Sequence, residues 1–96
     1  MTTMIHKHII KPDASGTGLK CELQIQDGAR FLSMQMQGED IVAWFVIPEI
    51  EADTVRTVFN IFMTGQKIPE DKDVGMYLGT IQHPTGLVLH IFAYQD

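Results

Sequence analysis

The side chains in this sequence with most capacity for chemistry are its four histidines. His6 and His8 lie two apart in "MIHKHII", so on a strand both point to one side. Joined by His83 or His90, they would make an imidazole set able to bind a metal ion. No Asp or Glu stands at a supporting spacing nearby, and two histidines on the polar side of an edge strand explain the pattern as well. No metal ligand is assigned.

Arginine offers a second chemistry. Arg56 shares a strand face with Asn60, and Gln35 and Gln37 occupy the polar face of another strand. A guanidinium with carboxamides suits a small anionic or nucleotide-like ligand through charge-assisted hydrogen bonds. Local pairing of Arg56 with Glu51 or Asp53 is the alternative.

The nucleophiles are poorly placed. Cys21 falls at an inward position of an alternating strand, where a thiol behaves as a small hydrophobe. Ser15 and Ser33 lack the sharp strand-to-helix turn that exposes a catalytic serine. Glu70, Asp71 and Asp73 surround Lys72 in a solvated run, with nothing apolar beside them to raise a carboxyl into acid-base range. Gly65, Gly75 and Gly79 fit no phosphate-binding loop. The reading is a non-enzymatic protein without a cofactor.

The loop "TGQKIPEDKD" (64–73) is longer than most connections. Gly65 allows a sharp exit from the strand before it, and Gln66 and Lys67 supply donors. It reads either as a lid over a ligand or neighbouring subunit, or as a closure with Ile68 plugging the end of a barrel.

These side chains must be positioned by strands. Turn signals recur about every ten residues, as expected of an all-β domain. "LKCELQI" alternates, with Leu19, Cys21, Leu23 and Ile25 inward. "FLSMQMQ" alternates too, with Leu32, Met34 and Met36 on one face. A hairpin turn at Asp27-Gly28 is expected between them, and a second at Gly38-Glu39. "DIVAWFVI" is apolar on both faces, which predicts either a covered central strand or an oligomer interface; in so short a chain, a homo-oligomer is the economical expectation. "DTVRTVFNIFM" carries apolar residues at helical spacing, but its β-branched content favours a strand. "MYLGTIQ" and "TGLVLHIFAY" flank the compact turn "HPTG". With "MIHKHIIK" this makes seven strands in one domain, residues 1–96, as a small sandwich or barrel-like sheet.

The totals agree. Hydrophobic residues are 45% and charged residues 20% of the chain, ordinary globular proportions that exclude a disordered class. A net charge of −5 argues against nucleic-acid binding, which needs a basic surface. No apolar run reaches the ~18 residues of a membrane span, and no signal peptide or lipidation motif is visible. With a single cysteine, a reducing, cytoplasmic setting is expected.

In order and spacing, "MIHKHII", "GARFLSMQMQGEDIVAWFVI", "RTVFNIFMTGQKIP", "YLGTIQ" and "GLVLHIFAYQD" resemble a family of small phage and bacterial proteins of unknown function. Its members open on a similar histidine-lysine strand, carry a tryptophan-containing hairpin, and continue through an "R-I-F-G-T-G-H-P-I" strand and loop. They end on "GLVwHvFe". Trp44, Arg56, Thr64-Gly65, Ile68-Pro69 and His90 fall on matching positions. Met63 stands where glycine is usual, and Gln66-Lys67 departs from the loop's histidine-proline character, which weakens any site shared through that loop. The resemblance implies a compact β domain in a phage or prophage setting and supplies no activity.

The expectation is a cytoplasmic homo-oligomer that sequesters a small ligand, with a host nucleotide immune signal as the candidate suggested by the setting. The ligand-binding set is Trp44, Arg56, Thr64, Gly65, Gln66, Lys67 and His90. The alternatives are a module binding a host or phage protein, and a metal-binding domain through His6, His8 and His90.

Overall fold

The computed structural model describes residues 2–15, 18–49, 53–70 and 73–96. The seven expected strands form, with no helix among the described residues. They are β1 (Thr3–Ile10), β3 (Gly18–Gln26), β4 (Arg30–Gln37), β5 (Asp40–Pro48), β6 (Thr54–Met63), β7 (Met76–Gln82) and β8 (Val88–Gln95). The short β2 (Asp13–Ser15), hidden in a stretch that reads as a turn, pairs with the start of β3. All pairings are antiparallel. One sheet has the order β1-β5-β4 and the other β2-β3-β6-β8-β7, so the domain is a two-layer sandwich and not a closed barrel. The ambiguous segment 53–63 is strand β6, at the centre of the larger sheet.

The core forms where the two inner faces meet. Ile41, Ala43, Phe45 and Ile47 of β5 pack against a layer that includes Cys21, Ile25, Phe59, Ile61, Leu89 and Ile91. Phe59, Ile25 and Ile91 are fully buried. Burial also raises the Cys21 thiol pKa, opposed by a backbone hydrogen bond from Lys11, as suits a packing residue.

Two expectations about β4 are corrected. Asp27-Gly28 does not close a hairpin: β3 pairs with β6 and β4 with β5, so this turn carries the chain from one sheet to the other. Leu32 does not point inward either. A bulge between Phe31 and Ser33 inserts one residue, turning Phe31 toward Phe45 and leaving Leu32 exposed. The Gly38-Glu39 hairpin is present as a two-residue loop between Gln37 and Asp40. Its glycine has φ 64° while Glu39 keeps a negative φ, the pattern of a type II′ turn.

The connection from β6 to β7 solves a topological problem. These strands are parallel to each other and separated by β8, so residues 64–75 must run back the length of the sheet. The described end of this connection, residues 73–75, reaches the outer face of β6. There Val58, Asn60 and Phe62, the outward residues of β6, are 1%, 6% and 6% exposed. The Asn60 amide donates to the Val74 carbonyl at 3.0 Å, tying the strap to the strand beneath.

Candidate functional site

The structure distributes the sequence-predicted ligand residues over three places. Arg56 lies on the outer face of β6, and the strand from Arg56 to Met63 spans ~23 Å at the usual rise. Its guanidinium donates to Glu22 through Nε and to Asp96 through Nη1. The hydrogen bond that the guanidinium donates to Glu22, with both carboxylates beside it, raises the Arg56 pKa further. Asp53 is not its partner, and Glu51 lies outside the described residues, as do Asp71 and Lys72 of the acidic loop. Trp44 is half-buried on the outer face of the other sheet, between Lys7 and Ser33.

Thr64 and His90 do come together. The His90 ring is held by Thr64 Oγ1 at Nε2 (2.8 Å) and by Thr80 Oγ1 at Nδ1 (2.9 Å), and Thr80 is bonded in turn to the Tyr77 hydroxyl. With both ring nitrogens engaged, His90 works as a clasp between β6, β7 and β8 at the root of the strap. Thr80 and Tyr77 are the partners that sequence reasoning missed, because a lone Thr-x-x-x pattern carries no signal for them.

The rest of the loop set follows along the same connection. Gly65 turns the chain at φ 90°. The Gln66 side chain folds back, its Oε1 accepting from the Met63 amide at 3.1 Å. Lys67 is exposed, and Ile68, at 42% exposure, does not plug the end of the fold. Among the described residues of this connection, Val74 is tied to β6 by the Asn60 amide.

The histidines are also apart. His6 and His8 share the inward-facing side of β1, where His8 meets the Phe45 ring edge-on at 5.6 Å. His83 is locked in the β7–β8 turn, its Nδ1 accepting from the Thr85 amide at 3.2 Å. No group of three or more His, Cys, Asp or Glu side chains suited to a metal comes together among the described residues.

A second concave feature, apart from the cavity of about 520 Å³ that Arg56 lines with Lys11 and Lys20, lies between the sheets. A cleft of about 480 Å³ opens where β4 approaches β7. Phe31, Phe45 and Phe59 line its depth, with Leu78 and Ala93. Phe31 and Phe45 meet edge to face at 5.7 Å. Thr57, Asp73 and Gln95 supply the polar atoms of the lining. Thr57 Oγ1 accepts from the Gln95 amide at 3.1 Å and donates to the Val55 carbonyl. Asp73 Oδ1 accepts from the Gly75 amide at 2.9 Å, which leaves its second carboxylate oxygen for other donors.

An apolar cavity of this size with a few convergent polar groups is the usual form of a small-molecule site. Among the described residues no lysine or arginine lines it, so it offers a carboxylate and no cation. The sequence signal for it was blurred by the bulge, which sets Phe31 out of step with the rest of β4.

No helix among the described residues is long and apolar enough to cross a membrane. No curated protein and no solved structure matches the chain. A family model for a domain of unknown function, DUF7352, matches residues 1–96, and the protein belongs to that family.

Proposed function

We propose that the protein is a non-catalytic binding module for a small, flat, largely apolar molecule that is neutral or carries a positive charge. The observation that carries this reading is the inter-sheet cleft: half-buried Phe31 and Leu78 line it above the buried rings of Phe45 and Phe59, and Asp73, Gln95 and Thr57 line it as the polar groups able to orient a guest. Aromatic walls favour stacked or edge-on rings, and a carboxylate beside them favours a cation or a hydrogen-bond donor. Binding without turnover fits the same set, which holds no paired acid and base and no activated nucleophile among the described residues.

A phage setting, with a host nucleotide signal as the ligand, is the finer form implied by the family resemblance. A base could lie against Phe31, but a phosphate would need a cation. Arg56, which was to supply one, is held by Glu22 and Asp96 away from the cleft.

The test uses Nile red, a flat neutral dye whose emission rises on leaving water. Wild-type protein is expected to enhance its emission saturably. Ala29→Phe, which fills the cleft from the turn beside Phe31, is expected to weaken binding at least tenfold. No saturable enhancement, or equal binding by both proteins, would defeat the proposal. Native mass spectrometry of protein purified from cells would then weigh any natural guest released on denaturation.

A further inference from the structure

Each sheet of an open sandwich has two edges, and proteins normally guard them by bulges, covering segments or very short strands. Two of the four edges here carry bulges, and a third is covered in part. β4 carries the bulge between Phe31 and Ser33, and β7 carries one between Tyr77 and Gly79. These two edges also lie against each other. On the opposite side of the larger sheet, the three-residue β2 covers Gly18–Lys20 of β3 and leaves Cys21–Gln26 without a strand on that side among the described residues.

β1 is different. It pairs with β5 without interruption from Thr3 to Ile10, and among the described residues nothing pairs with its other side. It has no proline and no bulge. Met4, Ile5 and Ile9 expose 42%, 64% and 39% of their surfaces. Its one lysine does not defend the edge, because Lys7 Nζ reaches back across the sheet to Gln37 Oε1 at 2.9 Å.

The shape of the whole molecule points the same way. A monomeric protein of 10.8 kDa exposes about 5,500 Å². This chain exposes 6282 Å², an excess of about 700 Å², close to the ~800 Å² that each partner contributes to a stable interface. The radius of gyration is 13.8 Å, against about 12.5 Å for a compact chain of this length.

We infer that β1 is a self-association edge, and that its occupant is β1 of a second copy of this chain. The two strands run antiparallel about a two-fold axis perpendicular to the sheet, producing one six-stranded sheet, β4-β5-β1-β1-β5-β4. Directly opposed residues then share a face. The register centred on Lys7 sets Ile5 against Ile9 of the second copy and Met4 against Ile10 of the second copy. It also sets Lys7 against its symmetry mate, a like-charge pair that the turn of Lys7 toward Gln37 relieves. Registers centred one residue away, on His6 or His8, set Ile5 or Ile9 against Lys7 instead. The edge is isologous and closes on itself, so the assembly stops at two.

Sedimentation equilibrium at roughly 100 µM, where even a weak interface is populated, is expected to give twice the chain mass. Amide exchange on the same sample locates the contact. In a lone edge strand, every second β1 amide points to solvent and exchanges fast; in the dimer, successive amides of residues 4–10 are expected to be protected. His6→Pro and Lys7→Pro are adjacent, so one of them removes an outward amide, and that one is expected to be monomeric with β1 still paired to β5. If either variant fails to fold, the wild-type exchange pattern decides. A monomer at this concentration overturns the inference, and so does a dimer whose outward β1 amides exchange as in a free edge.

Discussion

Arg56 shows how much a residue's neighbours decide what it can do. Read alone, it is the chain's best anion ligand; folded, it is shared by two carboxylates from β3 and the C-terminal end of β8. All three groups are well exposed, so the pairing is screened and contributes little to stability. Arg56→Ala is therefore expected to leave Nile red affinity unchanged within twofold and to move the urea midpoint only slightly. A tenfold loss of affinity would bring Arg56 back into the site. His8 lends itself to a sharper test. Burial against Phe45, with a smaller contribution from His6, lowers its pKa below the ordinary value of about 6.5. The unfolded chain then binds protons more readily than the folded one near and below that value. The neutral ring's contribution is present above pH ~6.5 and is lost as pH falls below it. Urea unfolding at about pH 7.5 and about pH 5.5 should show the lower midpoint in acid, and His8→Gln should narrow the difference. An unchanged difference in the variant would assign the pH dependence to other groups.

At the scale of elements, the strap over β6 is the feature with most consequence. It bears on why "DTVRTVFNIFM" is apolar on both faces: the inner side meets the sandwich core, and the outer side, buried at Val58, Asn60 and Phe62, meets the returning chain at Val74. Beyond Thr64 at its root, it is held where the Asn60 amide meets the Val74 carbonyl and at the backbone of Gly75. Gly75 has φ 97°, and any side chain there would overlap the Ala93 carbonyl. Gly75→Ala is thus expected to destabilise the fold by ~2–4 kcal/mol, from backbone strain together with the clash. Asn60→Ala should cost about 1–3 kcal/mol, because it leaves a covered carbonyl without its donor. Both are read from urea unfolding, with faster exchange of amides in the strap as the local signature. A loss below ~0.5 kcal/mol in both would mean that the strap rests on the sheet without being tied to it. The same element marks where the sequence was readable. Strand positions were legible because alternation and turn residues are local signals. Pairing partners were not, since Asp27-Gly28 has the composition of a hairpin whether the next strand folds back beside β3 or passes to the other sheet. The predicted site shared that fate. Thr64 and His90 meet through strand register, and the cleft is made by phenylalanines from both sheets, neither of which any spacing along the chain discloses.

At the scale of the whole molecule, the order of the strands makes the native state depend on distant parts of the chain. Only β2–β3, β4–β5 and β7–β8 are neighbours in both sequence and space; β1 waits for β5, and β3 waits for β6. Each sheet therefore closes only after a long loop has been ordered, and the loop-closure entropy must be offset by the core before either sheet is stable. Phe59 sits where these long pairings converge. It is fully buried at the centre of the larger sheet, pairs across to Cys21 and Ala93, and belongs to the core shared with the smaller sheet. Refolding is expected on the slow side for a chain of this length, in the range of milliseconds to seconds. Phe59→Ala should cost ~3–5 kcal/mol at equilibrium. If closing the β3–β6 pairing is what limits folding, much of that loss will appear as a slower folding rate. A mutation confined to the β7–β8 turn, such as Thr85→Ala, will instead act mainly on the unfolding rate. Stopped-flow refolding of the two variants separates the cases. Should Phe59→Ala refold as fast as the wild type and merely unfold faster, a local hairpin would be the nucleus, and the two sheets would dock late around a core that has no part in starting the fold.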